Sequence, residues 1–253
     1  HFWLSIADSD VLLWTRGLVC GLGWDVQISE PDVSPLAIQG PNHLPLMIDL
    51  FGDWVKDIKY FFFKEVELEG IPLIVQKSGW SKQGGFELYL RDGSKGQKLW
   101  DIVATAGKKY DIKPGTPNNI ERVESGLFSW GNDMDINSNP LELPLANFCQ
   151  LDKEADYLSR NALHKIRSEG ITKKLVGLVI EGDAFIGGCA SPWQVKSGNK
   201  ICGKVTSAAY SPRLKINMAM ATLDKGFNDI DSEVEVETPW GKRLGKVSPI
   251  PFN

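Results

Sequence analysis

Apolar and polar positions change their period several times along the chain, and each change marks an element. The first residues, Phe2 to Ala7, form an apolar run that reads as a strand. Asp8, Ser9 and Asp10 stand directly before Val11-Leu12-Leu13-Trp14, and each carries an oxygen able to cap the first N–H groups of a helix. Residues 35–39 read as a short strand ended by Gly40-Pro41. Leu44, Met47, Ile48 and Phe51 then fall at i, i+3, i+4 and i+7, one apolar face of a helix that Gly52 ends. Three short segments rich in β-branched or aromatic residues, 59–65, 71–76 and 86–91, read as strands. A second helix carries Leu99, Ile102, Val103, Ala106 and Tyr110 on its apolar stripe. This order of strand, helix, strands and helix predicts an α+β unit with its helices on one sheet face.

Residues 113–119 (Lys-Pro-Gly-Thr-Pro-Asn-Asn) form a turn-rich break, followed by an expected helix over 120–130 and a loop through Gly131-Asn132-Asp133. Residues 157–169 read as another helix, with Gly170 where a left-handed cap belongs. The character changes at Ile171. Short strands over 175–180, 200–206, 217–223 and 233–237 are separated by Gly, Pro, Asn and Asp, and Val234 and Val236 alternate with glutamates as on a strand with one wet face. A separate all-β domain, barrel or sandwich, is expected there.

Composition narrows the classes without naming one. The 253 residues are 42% apolar and 24% charged, an ordinary globular profile that suits two domains of roughly 100–150 residues. A net charge of −4, with no basic run interleaved with aromatics, argues against a nucleic-acid partner. No apolar stretch approaches the roughly 18–20 residues of a membrane helix. Cys20, Cys149, Cys189 and Cys202 are widely spaced and read as reduced thiols of a cytoplasmic protein, with neither disulfide nor metal. The chain begins His1-Phe2-Trp3, without a methionine or a signal-peptide pattern, and this start reads as the interior of a larger domain. The glycines of residues 78–85 lack P-loop spacing and precede a strand, so a hairpin turn is expected.

Six blocks, in order, carry a resemblance. They are Leu36-Ala37-Ile38-Gln39-Gly40-Pro41; Ser78-Gly79-Trp80 through Phe86-Glu87-Leu88; Ile120-Glu121-Arg122-Val123-Glu124-Ser125-Gly126-Leu127; Gly131-Asn132-Asp133; residues 155–163; and Gly203 through Pro212. In this register the chain resembles the aminomethyltransferase (glycine cleavage T-protein) family. The resemblance implies a three-domain cloverleaf around a folate, with its N-terminal part missing here. Residues 1–35 would be the remainder of an N-terminal folate-binding domain, and 36–112 a ferredoxin-like α+β domain. Residues 113–170 would be a helical return segment, and 171–253 a C-terminal β-barrel or jelly-roll-like domain.

The same resemblance assigns residues. Glu87 matches a glutamate that binds the pterin ring, and Arg122 an arginine lining the folate site. Read from the residues alone, Glu87 is a wet-face strand position, and Arg122 and Glu124 are a solvated helix face or a buried ion pair. The family's catalytic aspartate has no secure equivalent: the segment from Ser5 through Asp8 to Asp10 is shorter than the family pattern, which leaves Asp8, Asp10 and Ser5 as candidates. Where the glycine-cleavage proteins have a tyrosine and an acidic pair, this hairpin reads Gly79-Trp80-Ser81-Lys82-Gln83-Gly84-Gly85. That departure resembles the dimethylsulfoniopropionate demethylase branch, which moves a methyl group from a sulfonium to tetrahydrofolate as co-substrate and uses no metal.

A sulfonium has no proton to donate, so aromatic faces must recognise it, each worth roughly 0.5–2 kcal/mol. Trp80, Tyr89 (on the sheet face of Glu87) and Trp54 are the candidates, with Arg16 or Lys82 for the substrate carboxylate. Partners are thus a small sulfonium and folate, with no nucleic acid or membrane, and a homodimer left open. The alternatives are a glycine-cleavage aminomethyltransferase, which needs a lipoyl carrier protein, a folate-linked demethylase of another methylated amine or sulfonium, and a non-catalytic folate-binding relative.

Overall fold

In the computed structural model the described residues are 2–4, 11–81, 83–116 and 118–252. They divide into two compact units, residues 1–118 and 119–253.

The first unit opens with helix α1 (Val11–Leu22). Residues 2–4 form no strand, and the rest of the expected first strand lies outside the described residues. Strand β1 (Ser34–Gln39) leads into α2 (His43–Phe51), which stops at Gly52 with φ +89. Strands β2 (Phe63–Leu68), β3 (Ile71–Gln76) and β4 (Gly85–Leu90) follow, and then α3 (Gly96–Gly107). They pair antiparallel in the order β1-β4-β3-β2. The chain passes from β3 to β4 through a hairpin, where a strict ferredoxin-like βαββαβ unit has a helix. Phe86, Leu88 and Leu90 of β4 pack with Leu73 and Val75 of β3 against Leu46 and Met47 of α2 and Leu99 and Val103 of α3. Glu87 and Tyr89 therefore point to the opposite face. The aromatic run before β2 does not extend as expected: Phe61 takes φ +65, so the strand starts only at Phe63.

The second unit begins with α4 (Asn119–Glu124), shorter than the helix expected over 120–130. Gly126, at φ +66, ends it, its N–H bonding Val123 O and that of Leu127 bonding Arg122 O, both at 3.0 Å. Helix α5 (Arg160–Glu169) follows. Strands β5 (Lys173–Ile180), β6 (Trp193–Ser197), β7 (Lys200–Ser211), β8 (Ile216–Asp224), β9 (Glu233–Thr238) and β10 (Gly241–Ser248) close into a barrel in the order β10-β5-β8-β7-β6-β9. Strand β8 is buried on both sides. Ala219 and Ala221 face the barrel core with Val195, Val205 and Val236, while Met218 and Met220 face outward onto Val123 of α4 and Leu143. The interior is filled by side chains, as in other small barrels.

Candidate functional site

Glu87 is half-buried on the sheet face away from the helices, opposite Ala37 of β1 and Gln76 of β3. The buried Ser78 hydroxyl donates to its Oε2. Tyr89, two residues on, shares the face as period-two spacing requires. Burial holds the Tyr89 phenol above its ordinary value, and the Glu87 charge and a hydrogen bond to Glu87 push it further the same way. Tyr89 thus stays a neutral phenol beside Glu87. Trp3 meets the Tyr89 ring edge-on at 6.2 Å, and the Arg91 guanidinium lies 6.0 Å from the Trp3 ring.

The turn that carries Trp80 folds over this same face. Gln39, paired with Gly85 in register, donates from Nε2 to Ser78 O (3.2 Å) and Phe86 O (3.4 Å), and Ser81 Oγ donates to its Oε1 (3.1 Å). Trp80 itself is 42% exposed.

Trp54 lies elsewhere. Its indole N–H bonds Phe51 O at 2.6 Å, and Lys64 Nζ stands 4.4 Å over its ring. Lys64 pairs with Val75, which pairs with Leu88, so this contact belongs to the helix-side face. The structure brings Glu87, Tyr89 and the Trp80 turn together and leaves Trp54 out, its face already covered by a cation. Arg16 is exposed and bonds Ile28 O through Nε (3.3 Å) and Nη2 (3.2 Å). Asp8, Asp10, Ser5 and Lys82 lie outside the described residues.

In the second unit Arg122 is buried and closed by partners. Its guanidinium donates to Asp133 Oδ2 (2.7 Å), Leu127 O (2.8 Å), Ser207 Oγ (2.6 Å) and Asn119 Oδ1 (3.1 Å). Asp133 also accepts from Ser129 N (2.8 Å), Thr206 Oγ1 (2.6 Å) and Ser207 Oγ (2.6 Å). Glu124, 5% exposed, accepts from Ser211 Oγ and from Arg213 Nε (3.0 Å) and Nη2 (2.8 Å). Both side chains are buried rather than on a solvated helix face, but they do not pair with each other: Arg122 forms a buried ion pair with Asp133, and Glu124 pairs with the exposed Arg213. Three of the motif blocks meet in these two clusters, which fix α4 to the outside of the barrel. Beside them a cavity of about 350 Å³ is lined by Asn132, Asp135, Glu142, Lys173 and Lys204.

Sequence reasoning gave no role to Ser78, Gln39, Asp133 or Ser207. All four stood inside quoted blocks, and their pairing depends on contacts between blocks. Among the described residues no group of three or more His, Cys, Asp or Glu side chains is arranged to hold a metal ion. No helix there is long and apolar enough to cross a membrane.

Comparison with known proteins agrees with the resemblance. The family model of the GCVT N-terminal domain matches residues 1–153, and that of the glycine cleavage T-protein C-terminal barrel domain matches 173–252. The chain is 42% identical over 243 residues to the dimethylsulfoniopropionate demethylase DmdA of Ruegeria pomeroyi, covering 96% of this chain and 66% of that protein. It is 32% identical over 216 residues to an aminomethyltransferase of Caldanaerobacter subterraneus (84% of this chain, 56% of that protein). To an aminomethyltransferase of Bacillus cytotoxicus it is 31% identical over 244 residues (94% and 65%). The chain thus spans between about half and two thirds of the length of these relatives. The crystal structure of the glycine cleavage system aminomethyltransferase T from Bartonella henselae superposes with a TM-score of 0.82, covering 96% of this chain and 65% of that one. At 18% identity that likeness is one of fold. With both of its domain models matched in order along the chain, the protein belongs to the glycine cleavage T-protein family.

Proposed function

We propose that the chain is the folate- and substrate-binding portion of a tetrahydrofolate-dependent demethylase that moves a methyl group from dimethylsulfoniopropionate to tetrahydrofolate. The observation that carries this reading is the 42% identity to a protein of that name, against 32% and 31% to the two aminomethyltransferases. The Trp80 substitution in the hairpin points the same way.

The Glu87 environment fits a pterin. A carboxylate offers about four acceptor positions, and one donated bond from Ser78 with one contact to Tyr89 leaves room for a paired donor. The 2-amino and N3–H edge of a pterin is such a donor. Tetrahydrofolate supplies the N5 lone pair that takes the methyl. The sulfonium C–S bond breaks with its electrons going to sulfur, giving methylmercaptopropionate and, after loss of the N5 proton, 5-methyltetrahydrofolate. The protein's task is alignment, with donor and acceptor about 3–3.5 Å apart before attack. Glu87 would fix the pterin, and Tyr89 and Trp80 would offer aromatic faces to the cation.

Incubation with tetrahydrofolate and dimethylsulfoniopropionate, followed by detection of 5-methyltetrahydrofolate, tests the reading. Formation of 5,10-methylenetetrahydrofolate and ammonia from an aminomethylated lipoyl carrier, with no 5-methyltetrahydrofolate from the sulfonium, would replace it with glycine cleavage.

A further inference from the structure

We propose that Gln39 is a positioning residue: its side chain is the post between the two arms of the β3–β4 hairpin, and it sets the orientation of Trp80 and, through Ser78, of Glu87. The inference rests on the reading of those two residues as ligand contacts. It goes beyond that reading by assigning a function to the first motif block and to two glycines of the second.

The geometry is tight. A Cβ on Gly79 would lie 2.0 Å from Gln39 Oε1, and one on Gly85 would lie 2.2 Å from Gln39 Nε2. Neither glycine has a positive φ, so the backbone does not demand glycine at either place. Space does for as long as Gln39 keeps its hydrogen bonds, because its amide threads between them. Gly84, in contrast, sits at φ +80 with His43 behind it. Gln39 then grips both flanks of Trp80. Its Nε2 holds the Ser78 carbonyl on one side, and its Oε1 takes the Ser81 hydroxyl on the other. Ser78 completes the link, since its carbonyl is held by Gln39 while its hydroxyl donates to Glu87. The Tyr60 hydroxyl adds a contact to Gly79 O at 3.4 Å. One side chain therefore fixes the turn and, through Ser78, the orientation of the Glu87 carboxylate. Alanine at 39 would remove all three bonds, and leucine would keep the bulk without them.

The test uses the whole chain labelled with ¹⁵N-tryptophan, the Trp80 indole signal being assigned by its loss in Trp80→Phe. Gln39→Leu is expected to shift or broaden the Trp80 indole signal while the other tryptophan signals stay in place. It should also weaken tetrahydrofolate binding about tenfold in calorimetry, the worth of roughly one hydrogen bond. Gly79→Ala should disturb the same signal, and the melting-temperature losses of Gly79→Ala and Gln39→Ala should combine to less than their sum. A Trp80 signal unmoved in Gln39→Leu, or folate affinity unchanged while the melting temperature falls, overturns the positioning role. If the Trp80 signal moves but the unaltered chain binds no folate, the proposed function fails and the role of Gln39 in the hairpin stands.

Discussion

Glu87 in the first unit and the Arg122–Asp133 pair in the second are all charged and all sit in motif blocks, yet their surroundings differ. Glu87 is half-buried, touched by Ser78 and Tyr89, with acceptor positions to spare. Arg122 and Asp133 are both buried, and they bind each other and groups of Asn119, Leu127, Ser129, Thr206 and Ser207 in their own unit. On the proposed function, the open acceptor positions of Glu87 are the ones a pterin would fill. The bonds of Arg122 and Asp133 hold α4 to the barrel. Family resemblance alone treats Glu87 and Arg122 alike; the hydrogen bonds separate them.

The largest effect should come from breaking the closed pair. Asp133→Ala strands the Arg122 guanidinium in a buried site and should cost about 3–5 kcal/mol of stability, read from urea unfolding. Glu87→Ala should cost under about 1 kcal/mol in the same assay, since a half-exposed group loses little burial. Equal losses would erase the distinction. Glu87→Gln turns the comparison round: apo stability should hold while folate affinity falls by about 1.5–3 kcal/mol, a charge-assisted bond's worth, in calorimetry. Unchanged affinity would remove Glu87 from the folate site.

Trp80→Phe is a finer probe of the same face. Dimethylsulfoniopropionate binding should weaken by about 0.5–2 kcal/mol, and binding of a neutral isostere with carbon in place of sulfur should not. Equal weakening of both would make Trp80 a packing residue. The smallest effect concerns reactivity in the second unit. Burial pushes the Cys189 thiol up to about 11, with the Asp133 carboxylate adding to the shift. Near neutral pH iodoacetamide should therefore label exposed Cys20 well before Cys189, as mass spectrometry of the digest would show. Faster labelling of Cys189 would mean that its surroundings open in solution.

Much of the fold was legible because its signals are local. The i, i+3, i+4 spacing before Gly52 marked α2, and alternation at Val234 and Val236 marked β9. The misreadings have particular causes. Tyr60 to Phe63 has strand composition, but Phe62 N bonds Lys59 O to close a turn over Tyr60 and Phe61, and Phe61 and Phe62 then both oppose Lys77 as a bulge. Strand β10 went unseen because its inward positions include Gly245, where a Cβ would lie 3.1 Å from Val236. Small residues chosen for close approach leave no apolar stripe. Of the candidate site, Tyr89 could be placed beside Glu87 by period alone. Gln39 and Ser78 could not, since their roles join residues 39 positions apart.

The closing of the barrel sets an order of events during synthesis. Strand β5 pairs with β8 on one side and with β10 on the other, from Gly177–Ser248 to Ile180–Gly245. The first strand of the ring thus waits for the last. As the chain leaves the ribosome, β5 carries one unsatisfied edge until residues 241–248 have emerged, and during that interval the edge is open to any extended segment nearby. Released chains ending just before Gly241 should form an open, aggregation-prone sheet, and chains that include Ser248 a protease-resistant ring.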